Sequence, residues 1–184
     1  MDSEEIELWD QESERAWQHD NHEAEFSQSI VSLLREILQP NTRILDAGCG
    51  IGKHIGAFTK LGYVCDGIDQ SKVAVKYAKT LNQNANIRLM RIQDLDYQNI
   101  YDLIYTCAVL QHSSHDRKRV ILKKFYDALC AQGFILCTEN TLSEDLSDGY
   151  SFSENGWIKF MAENNFKHIK TILPWPFYLF QVIK

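Results

Sequence analysis

The sequence predicts an α/β fold with a doubly wound sheet, and three observations lead to this prediction. Short apolar runs alternate with helical patterns between residues 43 and 138. A glycine-rich turn follows the first apolar run directly, as expected where a buried parallel strand turns tightly into a helix. Two further strands close the chain. Such an alternation places helices on both faces of a mostly parallel sheet.

Each element has its own signal. The predicted strands are 43–46, 63–68, 86–92, 101–107, 134–138, 166–173 and 177–183. The predicted helices are 23–39, 51–61 and 71–82, one from residue 115 or 116 until Gly133 ends it, and one from residue 153 or 154 through 161. Residues 142–149 are polar and acidic and indicate a loop at the mouth of a site, and Pro174, Trp175 and Pro176 join the last two strands.

Length and composition bound the organisation of the chain. With 184 residues, 45% hydrophobic and 24% charged, the chain is long enough for one domain with a sizeable core. We expect a single domain over residues 23–184, preceded by an N-terminal segment, 1–22. No internal repeat or linker interrupts the pattern.

The charge and the cysteines restrict partners and compartment. A formal net charge of −6 argues against nucleic acid and anionic membranes as partners. A local basic patch could form from Arg117, Lys118, Arg119, Lys123 and Lys124, but on a helix these residues are more simply a solvated face. Five cysteines with no C-x-x-C pair fit reduced, mostly buried thiols. No signal peptide or membrane span is recognisable, so we expect a cytoplasmic protein, monomeric or homodimeric.

The N-terminal segment is acidic and polar, but it contains Trp9 and Trp17. Two large aromatic side chains need a surface to cover. Three interpretations stay open: an arm that packs against the domain, an oligomer contact, or a lid over the active site.

The glycine turn is the first functional motif. Asp46 precedes glycines at positions 48, 50 and 52 in a D-x-G-x-G-x-G pattern. Glycine accepts positive φ and lets a ligand approach the backbone closely. The G-x-G-x-x-G fingerprint of dinucleotide-binding proteins is not completed, because Lys53 and Ile55 occupy the third position in its two possible frames.

Two acids follow later strands. Asp69 ends the second strand about twenty residues beyond the glycines, where a carboxylate can accept hydrogen bonds from both hydroxyls of a ribose. The alternative is that Asp69 or Ser71 caps the next helix. Asp94 follows the third strand, where it is either a second residue of a ligand site or simply an aspartate of a surface loop.

The pattern as a whole resembles the class I S-adenosylmethionine-dependent methyltransferases. The turn from Asp46 resembles their motif I, and residues 101–112, an aromatic-Asp-apolar strand followed by Leu110, Gln111 and His112, resemble their motif IV, with Gln111 where an acid is common. The resemblance implies a seven-stranded sheet with an antiparallel last strand. It also implies S-adenosylmethionine as cofactor and S-adenosylhomocysteine as product.

The same resemblance assigns roles to residues of the site. Asp46 and the backbone of Gly48, Cys49 and Gly50 would hold the methionine portion of the cofactor, and Thr106 would offer its carbonyl to the methionine amine. Asp69 would bind the ribose and Gln70 would lie beside the adenine. Asp94 and Leu95 would bind the edge of the adenine. No metal ligands are expected.

Methyl transfer from a sulfonium needs alignment more than acid catalysis, because the leaving group is a neutral thioether. A base is needed where an oxygen or a protonated nitrogen is methylated. His112 is the candidate, since its ordinary pKa lies near neutrality; the alternative is that His112 fixes its loop by hydrogen bonding. His115, Tyr150 and the acids of 142–149 are further candidates for the base.

The leading hypothesis for the acceptor is an oxygen or nitrogen of a small-molecule metabolite. No Asn/Asp-Pro-Pro-aromatic segment and no Pro-Cys pair, typical of enzymes that methylate nucleic acid bases, occurs in the sequence. The segment Thr138-Glu139-Asn140 is loosely similar to one in protein N-terminal methyltransferases, which keeps a protein acceptor open. A catalytically silent subunit that binds S-adenosylmethionine is a third hypothesis, and a nicotinamide dehydrogenase a fourth.

Overall fold

A computed structural model describes residues 3–19, 22–142, 148–174 and 176–184. The chain divides into two compact units, Met1–Asp94 and Leu95–Lys184. The first unit contains the glycine turn and the three acids predicted to bind the cofactor. The second contains Leu95, Thr106 and His112.

Three parallel strands form the sheet of the first unit, in the order β3-β2-β1. They are β1, Arg43–Ala47; β2, Val64–Asp69; and β3, Ile87–Leu89. β1 and β2 are almost completely buried after their first residue, as parallel strands covered on both faces are. Their carboxyl ends carry the glycine turn and Asp69.

Among the described residues of the first unit, four α-helices form: α1, Ser3–His19; α2, Gln28–Ile37; α3, Lys53–Lys60; and α4, Lys72–Leu81. α2 begins five residues later than predicted, because Ser27 caps it by accepting a hydrogen bond from the Ile30 amide at 3.4 Å. Within the N-terminal segment, Ser3–His19 form α1, which contacts α4.

The second unit has a mixed sheet in the order β4-β5-β9-β8. Its main elements are β4, Tyr101–Thr106; α5, His115–Ala128; β5, Leu129–Thr138; α6, Glu154–Glu163; β8, Phe166–Ile172; and β9, Phe177–Val182. Two short strands lie between β5 and α6 in the chain: β6, Thr141–Leu142; and β7, Phe152–Ser153. β4 and β5 are parallel, whereas β9 runs antiparallel to both of its neighbours.

The predicted end of α5 is wrong. The helix stops at Ala128 rather than at Gly133, and the chain is already extended from Leu129. Leu129 pairs with Tyr101 on β4, and the register then shifts so that Leu103 pairs with Phe134. The irregularity accommodates residues that a regular ladder would not, so Gly133 lies inside the strand instead of opening it.

The predicted fold class is confirmed. The two units supply seven main strands, three and four respectively, and the paired strands within each unit are parallel except around β9. Five residues of the predicted acidic loop, 143–147, lie outside the described residues, as does Trp175 in the connection before β9. No helix among the described residues is long and apolar enough to cross a membrane.

Candidate functional site

Asp46 is a buried carboxylate without a cation. It lies near the end of β1 and is 2% exposed. Among the described residues, none hydrogen-bonds to its Oδ2 atom and none forms an ion pair with it. Burial, and then the negative charge of Asp69, raises the pKa of Asp46 to about 8. A buried acceptor with no partner is costly, and it fits a position that a cationic or hydrogen-bonding ligand completes.

The glycine turn uses its amides internally. The amides of Gly48 and Cys49 both donate to the carbonyl of Ile68, at 2.9 and 3.0 Å, and the amide of Gly50 donates to Asp69 Oδ2 at 2.9 Å. The backbone donors that begin the turn are therefore already engaged. A ligand that offers hydrogen-bond donors of its own, such as an ammonium group, suits this turn better than one that needs donors.

Gly48, Gly50 and Gly52 all have positive φ, and the last two differ in the space beside them. Gly50 has φ +52°, and a Cβ built there would meet no described atom within 4 Å, so the space beside it is open to a ligand. Gly52 has φ +84° and packs closely against α4, because a Cβ there would lie 2.7 Å from Asn82 Nδ2 and 2.9 Å from Ala78 Cβ. Gly50 thus leaves open space beside the turn, whereas Gly52 lets the turn pack closely against α4.

Asp69 and Ser71 both serve the start of α4. Ser71 caps the helix by accepting from the Ala74 amide at 3.0 Å, and the Ser71 amide donates to Asp69 Oδ1 at 2.8 Å. Burial raises the pKa of Asp69, against the lowering effect of the backbone amides that donate to it. Each carboxylate oxygen has two lone pairs, so Asp69 can accept from a ribose as well as from Gly50 and Ser71.

Asp94 is the most exposed of the predicted cofactor residues in this unit. Gln70 directly follows β2 and is partly exposed. Asp94 ends a 3-10 turn, Ile92–Asp94, is exposed, and accepts from Arg91 Nε at 2.6 Å and from an Arg91 terminal nitrogen at 2.8 Å. An adenine bound by Asp94 would share the carboxylate with Arg91 or displace it.

The remaining predicted residues belong to the second unit. Leu95 is buried, and Thr106, the last residue of β4, is fully buried with no described partner for its Oγ1. His112 ends a 3-10 turn, Leu110–His112, and is exposed. Partial burial of the ring and then the charge of Lys118 lower the pKa of His112, so the imidazole is neutral at neutral pH and able to accept a proton.

The interpretation of Lys118 as part of a solvated face is wrong. Its side chain is fully buried, its Nζ lies 3.1 Å from Glu139 Oε2, and it donates to the carbonyl of Tyr150 at 2.7 Å. The ammonium group also lies 4.8 Å from the ring centroid of Phe152. Burial lowers the pKa of Lys118, and Glu139 opposes that shift. The pair joins α5, the end of β5 and the chain at 150–152.

Two residues with important contacts were not predicted from the sequence, although the sequence contained a signal for each. Lys118 precedes Ile121, Leu122 and Phe125 by three, four and seven residues, which places it on the apolar face of α5. Asp10 lies on α1 at helical spacing from Trp17, and it contacts the start of α4.

The sequence of the chain matches the family described as methyltransferase domain over residues 45–137, about half of its length. The chain belongs to this methyltransferase family. The match begins in β1, includes the glycine turn and Asp69, and ends in β5. The prediction of a class I S-adenosylmethionine-dependent methyltransferase is confirmed, and with it an enzyme that uses S-adenosylmethionine.

Two curated proteins illustrate the range of its relatives. The carboxy-S-adenosyl-L-methionine synthase of Helicobacter pylori is 25% identical over 79% of this chain and 77% of its own length. The ubiquinone biosynthesis O-methyltransferase of Nitrobacter winogradskyi is 32% identical over 38% of this chain and 28% of its own length. The second match is therefore local.

Solved structures share the fold at lower identity. The 1,6-didemethyltoxoflavin N1-methyltransferase of Burkholderia thailandensis, crystallised with 1,6-didemethyltoxoflavin and S-adenosylhomocysteine, is 13% identical, with a TM-score of 0.74 over 98% of this chain and 87% of that one. A TehB-like methyltransferase of Corynebacterium glutamicum is 17% identical, with a TM-score of 0.68 over the full length of both chains. At these identities the likeness concerns the fold alone.

The residues of the first unit fit S-adenosylmethionine. The cofactor carries an ammonium group, which suits the unpartnered Asp46 oxygen, and ribose hydroxyls, which suit the lone pairs left on Asp69. The open side of Gly50 leaves room for close approach. The site thus offers acceptors where the cofactor offers donors.

Proposed function

We propose that the protein transfers a methyl group from S-adenosylmethionine to an oxygen or nitrogen of a small-molecule acceptor. The observation that supports S-adenosylmethionine as the donor is the buried Asp46 oxygen, which has no described partner and lies in the same unit as Asp69 and the open glycine turn. When bound, S-adenosylmethionine supplies an electrophilic methyl group on a sulfonium, which leaves as a neutral thioether.

The chain's own contribution to cofactor binding is electrostatic and geometric. Asp46 would pair with the methionine ammonium, and Asp69, held in place by the amides of Gly50 and Ser71, would accept from the ribose. Gly48 and Cys49 would shape the turn around the methionine portion. Gln70, Asp94, Leu95 and Thr106 keep the roles that the family resemblance assigns to them.

His112 would accept the proton that an oxygen or nitrogen acceptor loses. The imidazole is exposed, so a substrate can reach it, and its lowered pKa keeps it in the neutral form. Lys118 contributes to this form through its positive charge. His115 is a weaker candidate, because its ring stacks on Phe152 at 4.1 Å between centroids and its Nε2 atom is buried.

Two relatives support a small-molecule acceptor over a protein. One, by its name, is an O-methyltransferase of ubiquinone biosynthesis, and the other synthesises a derivative of the cofactor itself. The segment Thr138-Glu139-Asn140, which kept a protein acceptor open, has its acid buried against Lys118. Glu139 is therefore not available to a basic peptide in this arrangement.

Calorimetric titration with S-adenosylhomocysteine tests cofactor binding, and NAD serves as the comparison ligand. We expect binding of the thioether and none of NAD, and an Asp69→Ala variant that binds the thioether more weakly. Binding of NAD alone would contradict the proposal. Binding of neither would favour a subunit that needs a partner.

A screen of hydroxylated and amine-containing metabolites, read by release of S-adenosylhomocysteine, tests the acceptor. Once an acceptor is found, His112→Ala should lower kcat by about 100-fold or more while the affinity for S-adenosylhomocysteine stays unchanged. Loss of the folded state in that variant would instead support a structural role for His112. Turnover of peptides but not of small molecules would move the assignment to a protein methyltransferase.

A further inference from the structure

Helix α1 presents one face to α4. Asp10, Glu14 and Trp17 are four and three residues apart, so their side chains lie on one side of the helix. Trp17 stacks on Tyr77 of α4 with 4.2 Å between ring centroids and 5° between ring planes. The Tyr77 hydroxyl donates to Glu14 Oε2 at 2.8 Å. These contacts dock α1 along α4.

Asp10 binds the first turn of α4. Its Oδ1 atom accepts from the Ser71 hydroxyl at 2.6 Å and from the Val73 amide at 3.3 Å. Lys72 Nζ lies 4.0 Å from the other oxygen, and the Asp10 side chain is only 15% exposed. A carboxylate at a helix N-terminus is stabilised by the free amides and by the helix dipole. Asp10 is thus a second cap for α4, supplied from another helix.

Ser71 connects Asp10 to the proposed cofactor site. Its hydroxyl donates to Asp10, its amide donates to Asp69 Oδ1 at 2.8 Å, and Asp69 Oδ2 in turn accepts from the Gly50 amide at 2.9 Å. A continuous chain of hydrogen bonds therefore runs from α1 to the glycine turn. Loss of the contact between Asp10 and Ser71 would therefore remove one of the supports of Ser71, whose amide holds Asp69.

We propose that Asp10 is a positioning residue for S-adenosylmethionine: from α1 it fixes Ser71, and through Ser71 it holds Asp69 in place to accept from the ribose. Docking of α1 and binding of the cofactor then strengthen each other by the same factor. This inference rests on the proposed role of Asp69. It gives the N-terminal segment a function that packing alone would not.

Three variants of the full-length protein test the proposal by calorimetry with S-adenosylhomocysteine. Asp10→Ala removes the oxygen that accepts both hydrogen bonds and should weaken binding about five-fold. Asp10→Asn keeps an oxygen that accepts from Ser71 and Val73, so its affinity should return to within about two-fold of wild type. Glu7→Ala, an exposed change on α1, is the matched control and should bind as wild type.

Affinity equal to wild type in Asp10→Ala would overturn the proposal, as would an Asp10→Asn variant as weak as Asp10→Ala. Failure of the wild type to bind S-adenosylhomocysteine would overturn the proposed function and this inference with it. Normal wild-type binding with an unaffected Asp10→Ala variant would overturn this inference alone.

The reciprocal effect can be measured without a variant. Because the coupling is mutual, S-adenosylhomocysteine should slow hydrogen exchange of the wild-type amides in Ser3–His19. Exchange in α1 that does not change on ligand binding would contradict the proposal, even if Asp10→Ala were too unstable to study.

Discussion

The two units each bury a carboxylate, and they treat it in opposite ways. Asp46 in the first unit and Glu139 in the second are both 2% exposed. Glu139 has an ammonium partner, since Lys118 Nζ lies 3.1 Å away. Asp46 has no described cation, and the charge that affects it most is the negative charge of Asp69. One buried acid is paired within the fold, and the other is left unpaired.

We interpret the paired Glu139 as a charge that stabilises the fold and the unpaired Asp46 as a charge that binds a ligand. A paired buried acid stabilises a particular arrangement of elements, here α5, β5 and the chain around Tyr150. An unpaired buried acid costs stability until a ligand supplies the missing charge. Removal of the acid or its partner should therefore have opposite consequences for stability in the two units.

Lys118→Met should give the largest loss of stability. The variant leaves Glu139 buried without a counter-ion and the Tyr150 carbonyl without its donor, which costs about 3–5 kcal/mol. Urea unfolding followed by circular dichroism measures the change. The double variant Lys118→Met/Glu139→Leu is the matched control, because replacement of a whole buried pair by apolar groups is often nearly neutral. A double variant as unstable as the single one would contradict a paired role.

Asp46→Asn should change stability in the other direction. The amide has no charge to bury, so the free energy of unfolding of the unliganded protein should rise by on the order of 1–3 kcal/mol at pH 9. The same variant should bind S-adenosylhomocysteine at least about tenfold more weakly, because the ammonium loses its counter-ion. Urea unfolding and calorimetry on one preparation test both. A variant that is less stable and binds normally would remove Asp46 from the site.

The pH dependence of wild-type stability also tests whether Asp46 is buried without a cation. The folded pKa of Asp46, about 8, lies above its ordinary value of 3.8, so the folded state holds the proton more tightly. Protonated Asp46 therefore contributes its full stabilisation below about pH 4, and this stabilisation is lost as the pH rises towards 8. The free energy of unfolding should fall over this range with a slope of at most about 1.4 kcal/mol per pH unit. Asp46→Asn should lack this slope.

The affinity for the ligand should change with pH in the opposite direction to the stability. An ammonium ligand needs the ionised carboxylate, so affinity for S-adenosylhomocysteine should rise between pH 6 and pH 8 and binding should release protons, by at most about one per site. Titrations in buffers of different ionisation enthalpy measure that release. Proton release that is unchanged in Asp46→Asn would assign it to another group.

The sequence was sufficient to place the candidate site residues that follow a local pattern. Asp46, the glycines and Asp69 were predicted because a strand, a turn and a subsequent acid occur in fixed order along the chain. The Ser71 cap was found in the same way. Burial that depends on tertiary contact was not predicted. Lys118 was interpreted as solvent-exposed because it lies in a run of basic residues. The apolar residues three, four and seven positions beyond it nevertheless indicate burial.

The same limit applies to Asp10 and to Leu129. The helical spacing of Asp10 and Trp17 is the one local signal in this acidic, polar segment, and the contacts with Ser71 and Tyr77 define what the 3–19 helix does. The early start of β5 at Leu129 depends on pairing with Tyr101, which no local propensity encodes. Residue types and their order thus place the candidate site residues at the ends of strands and in turns, whereas long-range pairs decide which charges are buried.

The smallest expected effect tests whether the open side of the glycine turn receives the ligand. Gly50→Ala places a methyl group at a position with φ +52° and no described atom within 4 Å, so it should cost about 1 kcal/mol of stability. Gly62→Ala is the matched control, since Gly62 also has a positive φ, +90°, and no described neighbour within 4 Å.

Both variants should unfold at similar urea concentrations, because they introduce similar backbone strain. Only Gly50→Ala should lower the affinity for S-adenosylhomocysteine, by about tenfold, because its methyl group occupies space that the cofactor needs. Equal affinities would place the ligand elsewhere and leave the unpaired Asp46 without the partner proposed for it. Loss of affinity in Gly50→Ala alone would join the open turn and the unpaired acid in one binding site.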